Sequence, residues 1–407
     1  MLWLLDRRGG RHELDHRPEE PAAQALLRHG IPPTSVLVYR DDEEVVPDDA
    51  PLASTTVHIA RLIEGYDIMG IRQLYGPELS GSGPDSPVVS GLLRRRLSIA
   101  STGALRVERH HLGADAVARY VEQTVADTID RFALLSSGSS VVLGLSGGVD
   151  SGSLLMLLSA YRDQLVGEPP TIHAATFQDF DSQYSETFEF AARLADRFDV
   201  KHHVLEPQTA EDTFHLTRPV AQILMLLMET DDAHFAMYVD HHTTRRVLEV
   251  FADEHSISNI ALGLHTTDLL AGMINSWSTG HDVGTVPERA VGPYRYVLPL
   301  AFVPKRELHL YYSSRTGHLP TQSTPNQWEF NPSDRNYFYY LADQLQWLWP
   351  GIQHFMFSAH TAVSQSEATF HTCENCGAAA RQTDIAPEWT GLCDVCRLLD
   401  RHGWVRG

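Results

Sequence analysis

The sequence predicts an α/β fold, a doubly wound parallel sheet with a small α+β unit before it and a small cysteine-rich unit after it. Three observations predict this class. From residue 114 onward, apolar segments of strand length alternate with segments of helical periodicity, as in parallel sheets. One buried strand leads directly into a glycine-rich turn and a helix. All four cysteines fall in two C-x2-C pairs near the end of the sequence.

The composition is that of a folded globular chain rather than a disordered one. Of 407 residues, 43% are hydrophobic and 21% are charged, with a formal net charge of −20. No apolar run approaches the ~20 residues that cross a bilayer, and the N-terminus turns charged too early for a signal peptide. We therefore expect a cytoplasmic protein without membrane contact. The negative charge argues against a broad, non-specific grip on nucleic acid.

Residues 1–75 predict a small unit of their own. Its expected strands are Leu2 to Leu5, Arg11 to His16, Ser35 to Tyr39, Glu44 to Val46 and Thr55 to Ile63. A helix from Ala22 to His29 follows the second strand. The order is that of a β-grasp, or ubiquitin-like, domain, and the segment resembles sulfur-carrier proteins. The resemblance implies a sulfur-carrier or E1-like protein partner. Because the chain continues through Gly70 without a free Gly-Gly end, we expect the unit to dock a partner or a substrate.

Residues 76–112 predict a Gly/Ser/Pro-rich linker with short, arginine-rich strands. Arginines cluster at Arg94 to Arg96, Arg106 and Arg109. They form either a solvated linker or a local basic groove. Lysine is rare by contrast, since only Lys201 and Lys305 occur in the chain.

The main domain, predicted over residues 113–365, contains the most informative motif. After a helix from Ala114 to Leu134, the buried strand Val141 to Leu145 leads to a turn and a helix, Gly152 to Tyr161. The turn consists of Ser146, Gly147, Gly148, Val149, Asp150 and Ser151. Backbone N–H groups of such a turn and of the following helix bind oxyanions, and glycines let the backbone approach phosphate closely.

The motif SGGVDS resembles the signature of the PP-loop ATP pyrophosphatases. This resemblance implies ATP and Mg²⁺ as ligands and cleavage of ATP to AMP and pyrophosphate. It also implies that all six turn residues bind the nucleotide, with Asp150 as a catalytic or magnesium-binding residue.

The segments after the turn continue the alternation of strand and helix. They are the strand Thr171 to Phe177, the helix Ser185 to Phe198, the strand His202 to Leu205, the helix Val247 to His255 and the strand Asn259 to Leu264. In such sheets the site lies at the carboxyl ends of the strands. The family resemblance implies that Ala175, Thr176 and Phe177 hold adenine through their backbone.

Two branches of the superfamily compete, and the tRNA thiolation enzymes match more of the chain, about residues 114 to 400. NIALGLHTTDLLAG is similar to their second signature region and VLPLAFVPKRELHLYY to their Pro-Leu…Lys-x-Glu segment. The resemblance implies Gly263 as a nucleotide-binding residue and Asp268 and Lys305 as catalytic residues. It further implies tRNA as an acceptor partner and, as in relatives of this fold, a homodimer.

The chain departs from the thiolation enzymes at their cysteines. Two that usually precede the Arg-Arg pair are replaced by Tyr238 and His241, and a third by a residue near Thr324. Any sulfur is therefore expected from an external donor. The neighbours His241 and His242 are open to two interpretations, a metal site or a solvated pocket lining. Adjacent helical side chains point ~100° apart, so both rarely reach one ion.

The second branch is the asparagine-synthetase group, which forms amides. TFQDFDSQYSETFEFAARLADRFDVKHHVLE resembles its second strand and helix. A third alternative is a degenerate relative that has lost catalysis and serves as a nucleotide-binding partner or scaffold in a ubiquitin-like or sulfur-carrier pathway.

Residues 366–407 predict a zinc ribbon. Cys373, Cys376, Cys393 and Cys396 supply four thiolates, the closed ligand set of structural Zn²⁺. These are all the cysteines of the chain, so none is left for catalysis.

Overall fold

A computed structural model gives the structure of the protein. It describes residues 2–5, 11–17, 19–40, 46–52, 57–61, 92–99, 105–112, 114–178, 185–279, 284–316, 332–364, 370–381 and 389–406. The predicted return strand at Glu44, most of the linker before residue 92 and the position of Thr324 lie outside these residues.

The N-terminal unit, residues 2–61, is a mixed four-stranded sheet with one helix. Its elements are β1 (Leu2–Leu5), β2 (Arg11–Leu14), α1 (Ala22–Arg28), β3 (Val36–Arg40) and β4 (Val57–Arg61). The strand order is β2-β1-β4-β3, with β1 parallel to β4 and the other pairs antiparallel. Helix α1 buries Ala25 and Leu26 against Ile31 and Val38, so the unit has a small core of its own. A 3₁₀ turn, Pro33–Ser35, precedes β3.

The arginine-rich segment forms a regular hairpin. Strands β5 (Leu92–Ile99) and β6 (Leu105–Leu112) pair antiparallel over their whole length. The expected short strands are thus eight residues each, and Arg94 to Arg96 face Glu108 to His110 across the ladder.

The main sheet has six strands in the order β11-β12-β10-β7-β8-β9. They are β7 (Ser140–Gly144), β8 (Thr171–Phe177), β9 (Lys201–Leu205), β10 (Asn259–Ala261), β11 (Glu288–Val291) and β12 (Tyr294–Val297). All neighbours pair in parallel except β11, which is antiparallel to β12 at the edge. The prediction of a doubly wound α/β sheet is confirmed, with one antiparallel edge strand added.

Helices cover both faces of this sheet. They are α2 (Ala114–Arg131), α3 (Val149–Gln164), α4 (Ser185–Arg197), α5 (Pro207–Thr213), α6 (Val220–Leu227), α7 (Ala236–Glu254), α8 (Thr266–Thr279), α9 (Lys305–Thr316), α10 (Pro332–Leu348) and α11 (Ile352–Ser364). One apolar core joins the sheet to α2, α3, α4 and α9, and another joins it to α5, α6 and α7. Helices α8, α10 and α11 share a third cluster. In the described part of the chain, no helix combines the length and apolarity needed to span a bilayer.

The C-terminal unit, residues 370–406, packs against α7 and the segment before α6. It contains β13 (Phe370–Thr372), β14 (Ala379–Arg381) and α12 (Asp394–Arg401). Backbone hydrogen bonds join Thr217 to Trp404 and Arg406 to His215. The four cysteines are part of the same apolar core as α6 and α7, so this unit is joined to the main domain by a continuous interior.

Candidate active site

The glycine-rich turn lies at the carboxyl end of β7, where it leads into α3. Gly147 has φ = 80°, a left-handed backbone that glycine adopts without steric cost. The Ser151 hydroxyl accepts a hydrogen bond from the Ser146 amide at 3.2 Å and lies 3.1 Å from the Ser146 hydroxyl. The two serines therefore hold the turn closed. The N-terminal amides of α3 and its dipole favour an anion at this point.

Asp150, in the first turn of α3, is paired with Lys305 at the start of α9. The Lys305 Nζ lies 2.7 Å from both carboxylate oxygens of Asp150. Burial opposes ionisation of Asp150, but Lys305, His265 and His309 together outweigh it and lower the pKa of the carboxyl to about 2. The Lys305 side chain is only 15% exposed, whereas Asp150 is 35% exposed. An ionised carboxylate and an ammonium therefore lie together beside the turn.

His265 and Asp268 form a second pair beside the first. The Asp268 amide donates to Nδ1 of His265 at 3.3 Å, and the His265 amide donates to Oδ2 of Asp268 at 3.2 Å. Burial lowers the pKa of His265, so its ring is neutral at neutral pH. Because Nδ1 faces a donor, the proton of the neutral ring is on Nε2, which lies 3.3 Å from Asp268 and 3.9 Å from Asp150. Tyr339 of α10 donates to the other oxygen of Asp268 at 2.6 Å.

The sequence interpretation missed His309, one turn after Lys305 on α9. Its side chain is 6% exposed, and neither ring nitrogen has a hydrogen-bond partner among the described residues. Burial, reinforced by the neighbouring Lys305 charge, holds the pKa of His309 well below its usual value. The spacing of four residues from Lys305 on a helix is the signal that would have found it. Tyr339 has no such signal, since no nearby motif marks it.

The remaining predicted nucleotide-binding residues surround the turn. A Cβ built on Gly263 would lie 3.2 Å from the Asp150 carbonyl carbon and the Ser151 nitrogen, so the strand end approaches the turn backbone closely. On β8, the Ala175 carbonyl accepts from the Leu145 amide, and the buried Thr176 hydroxyl donates to the Leu145 carbonyl. Phe177 ends β8 and is buried. These contacts fix the strand that leads into the turn.

The four cysteines form a separate, buried centre. Their sulfur atoms all lie within 4.8 Å of one another, and Cys376 and Cys393 are 3.8 Å apart. Four thiolates at Zn–S distances of ~2.3 Å form a tetrahedron with edges of about 3.8 Å, so the residues fit a tetrahedral metal. The backbone amides of Cys393 and Cys396 donate to the sulfurs of Cys373 and Cys393. Hydrogen bonds from the other three thiols lower the pKa of Cys373, which favours the thiolate.

Of the neighbouring histidines His241 and His242 on α7, it is His242 that contacts this centre. His242 is buried with Nε2 3.6 Å from the Cys393 sulfur, whereas His241 is exposed. Burial and the nearby Asp394 charge raise the pKa of Tyr238 to about 12, so the phenol stays neutral. Of the two positions of the replaced cysteines, Tyr238 therefore lies near the four-cysteine centre, and His241 is exposed on the same helix.

The arginine pair of α7 turns inward. Arg245 and Arg246 lie 3.5 and 3.2 Å from the fully buried carboxylate of Glu249. Arg246 also donates to the Cys376 carbonyl at 2.7 Å. Arg246 thus joins the C-terminal unit to α7.

Comparisons with known proteins show which families and structures the chain resembles. A profile of the asparagine synthase family matches residues 120–250, which include the turn. The chain is 24% identical over 206 residues to a tRNA-cytidine(32) 2-sulfurtransferase of Neisseria gonorrhoeae, covering 50% of this chain and 60% of that one. It is 26% identical over 196 residues to the enzyme of the same name from Polynucleobacter necessarius, covering 47% and 58%. The chain thus spans about 60% of the length of the curated relatives that it matches.

The fold has a counterpart among solved structures. The U34-tRNA thiolase NcsA from Methanococcus maripaludis, solved with its [4Fe-4S] cluster, superposes with a TM-score of 0.55. The match covers 72% of this chain and 91% of the thiolase at 16% identity. At that identity the likeness concerns the fold alone. The chain therefore shares its α/β fold with this thiolase, and Asp150 and Lys305 are paired beside the turn at the carboxyl end of β7.

Proposed function

We propose that the chain is an ATP-dependent adenylating enzyme that activates an oxygen atom of an acceptor. The acceptor oxygen attacks the α-phosphorus of ATP, the bond from that phosphorus to the bridging oxygen breaks, and pyrophosphate leaves. The observation that carries the proposal is the Asp150–Lys305 pair at the N-terminus of α3, directly beside the anion-binding turn. The similarity of the chain to PP-loop enzymes supports it.

Each residue of the site has its own proposed role in this reaction. The backbone amides from Ser146 to Ser151 bind the phosphates, and Gly263 leaves room for the turn to do so. Lys305 neutralises charge that develops on the phosphates. Asp150 and Asp268 are the carboxylates that would hold Mg²⁺, which when bound neutralises phosphate oxygens. His265 keeps Asp268 in place through two hydrogen bonds: its backbone amide donates to the Asp268 carboxylate, and its ring Nδ1 accepts from the Asp268 backbone amide.

The favoured acceptor is a tRNA base, as the names of the relatives suggest. The four-cysteine centre uses every cysteine of the chain. A sulfur atom must therefore arrive from an external donor, as sulfide or as a carrier thiocarboxylate. The centre itself is proposed to hold Zn²⁺ in a structural role, since all four ligands are buried cysteines and no open position remains. The sulfur-carrier or E1-like partner and the homodimer stay predictions.

Amide formation is the second candidate, favoured by the match to the asparagine synthase family. The first half-reaction is the same, because a carboxylate oxygen also attacks the α-phosphorus. The second half-reaction differs, since ammonia rather than a sulfur donor displaces AMP. Ammonium salts and sulfide, added separately, distinguish the two.

The test incubates the purified chain with Mg·ATP, bulk tRNA and either sulfide or ammonium. The expected products are AMP and pyrophosphate in equal amounts, with thiolated or adenylated nucleosides detected by mass spectrometry. ADP and phosphate as products would overturn the proposal. ATP binding without any turnover in every mixture would favour the nucleotide-binding scaffold instead.

A further inference from the structure

The N-terminal unit contacts helix α9 at Arg306, the residue after Lys305. The two terminal nitrogens of Arg306 donate to the two carboxylate oxygens of Asp48 in the N-terminal unit, at 3.0 and 2.9 Å. The same guanidinium donates to the Pro33 carbonyl at 2.8 Å. Both charged side chains of this pair are only 10% exposed. The N-terminal unit is thus joined to the start of α9 by a buried, bidentate ion pair.

A second contact joins the unit to α10. The Thr34 hydroxyl donates to the carbonyl of Asp343 at 3.0 Å. Asp343 lies one helical turn after Tyr339, the residue whose hydroxyl holds Asp268. The 3₁₀ turn Pro33–Ser35 packs against both α9 and α10. One short segment of the N-terminal unit therefore contacts the two helices that supply Lys305 and Tyr339 to the site.

The ion pair strongly constrains the position of the N-terminal unit against α9, because an arginine side chain stays charged. Burial works against the charge of Arg306, yet the carboxylates of Asp48, Glu307 and Asp343 together more than compensate, and the pKa of Arg306 is raised. If the unit moved away, the guanidinium would lose its bidentate partner, and breaking a buried ion pair in this way is costly. Lys305 and Arg306 are the first two residues of α9, where helices are held least by their own hydrogen bonds.

We propose that the N-terminal unit is a fixed support of the active site, with Asp48 and Thr34 as positioning residues for Lys305 and Tyr339. This inference rests on the proposed function for its kinetic consequence only. It differs from the expectation of a docking or carrier module, because the face that contains Asp48 is already occupied by α9.

The test compares two buried carboxylates of the N-terminal unit, Asp48, which is paired outside the unit, and Glu20, which is paired within it. Asp48→Asn removes the charge that faces Arg306 while keeping the shape of the side chain. The matched control is Glu20→Gln, since Glu20 is 4% exposed at its side chain and pairs with Arg28 at 2.9 Å within the unit. Both changes weaken the unit, but only the first reaches α9. Circular dichroism and urea unfolding establish that each variant is folded.

Two readouts apply to each variant. The first is steady-state kinetics of pyrophosphate release, where Asp48→Asn should lower kcat at least tenfold and leave the KM for ATP within about threefold. The second is amine labelling followed by mass spectrometry. Lys201 and Lys305 are the only lysines of the chain, and Lys201 is exposed, so it serves as an internal reference. Labelling of Lys305 relative to Lys201 should rise severalfold in Asp48→Asn and stay unchanged in Glu20→Gln.

A rescue variant and a second contact complete the design. Asp48→Arg combined with Arg306→Asp reverses the pair and should restore part of the kcat and of the low Lys305 labelling. Thr34→Val should change both readouts in the same direction as Asp48→Asn, but less. The inference is overturned if Asp48→Asn leaves both readouts at the wild-type values, or if Glu20→Gln changes them equally. If the wild-type chain never cleaves ATP, the proposed function fails, while the labelling ratio still decides whether the unit supports Lys305.

Discussion

Gly263 faces the backbone of the glycine-rich turn that is proposed to bind phosphate, so its replacement by alanine is expected to weaken ATP binding. The added Cβ would lie 3.2 Å from the Asp150 carbonyl carbon and the Ser151 nitrogen, where ordinary contact begins at 3.4 Å. Both contacted atoms are backbone, which cannot rotate away. Overpacking of this kind costs about 1–3 kcal/mol. Since 1.4 kcal/mol is tenfold in a dissociation constant, Gly263→Ala should weaken ATP binding by roughly 5- to 150-fold.

Gly152 provides a matched control with the same closeness but different neighbours. Its added Cβ would lie 3.2 Å from a methyl of Leu194 and 3.3 Å from the ring of Tyr312. These are the outer ends of side chains, which can shift by a few tenths of an ångström. Alanine also stabilises a helix by about 1 kcal/mol relative to glycine. Gly152→Ala should therefore bind ATP within about threefold of the wild-type chain.

The assay is calorimetric titration of each variant with a non-hydrolysable ATP analogue and Mg²⁺, alongside urea unfolding. The unfolding data separate a local effect on the turn from a loss of folded protein. Unchanged affinity in Gly263→Ala would refute the reasoning, because the turn would then tolerate a displaced backbone. Equal losses in Gly263→Ala and Gly152→Ala would refute it as well, since the identity of the contacted atoms would not matter.

Three further outcomes are expected. Burial lowers the pKa values of His265 and His309 below 6.5, so the unfolded chain takes up these protons first as the pH falls. The contribution of these histidines to the free energy of unfolding should be complete above pH 6.5 and should decrease below it by up to about 1.4 kcal/mol per pH unit for each histidine. Urea titrations between pH 7.5 and 5.5 should show a shallower decrease for His309→Leu, and an identical slope would contradict this. Removal of the proposed metal by a chelator should lower the melting temperature and detach the C-terminal unit from Arg246, because structural zinc contributes on the order of 10 kcal/mol. Hydrogen exchange of residues 370–406 measures the detachment, and unchanged protection in the metal-free protein would contradict the prediction. Lys305→Met should slow pyrophosphate release about 10²- to 10³-fold, the usual loss for a group that stabilises developing charge. Rapid-quench measurements with saturating ATP test this prediction. A loss confined to KM would assign Lys305 to ground-state binding instead.

The local parts of the fold were predictable because neighbouring residues determine them. The strand β7, the turn and α3 form one contiguous segment, and the helix Ser185 to Phe198 agrees with α4 to within one residue. Helix α7 was expected only from Val247, yet it begins at Ala236. The polar run from Asp240 to Arg246 hides its periodicity, because its buried side chains face the Cys393 sulfur and the Glu249 carboxylate. Strands β11 and β12 were missed because each has four residues around the Gly292 turn.

The candidate site was predictable in its members but not in its pairings. Asp150 and Lys305 are 155 residues apart, and no pattern in either segment states that they meet. The role of Asp268 toward a metal or an acceptor stays a prediction, and its contacts with His265 and Tyr339 were not foreseen. Such pairings arise from the order of strands in the sheet and from the packing of α9 and α10, which are tertiary properties.

The charges of the site determine what ATP binding requires of it. Lys305 is bound to both oxygens of Asp150, while Asp268 is held by Tyr339 and His265. An incoming triphosphate would be repelled by a bare Asp150 carboxylate, so the partners of Asp150 and Lys305 must be shared or exchanged as the phosphates enter. Asp268 keeps its protein partners, which makes Asp150 the group that changes partner. In the proposed mechanism, the exchange would be a rotation of the Lys305 side chain about a fixed backbone, because a shift of α9 would draw Arg306 away from Asp48. The Asp48–Arg306 pair would then stay closed while the Asp150–Lys305 pair opens.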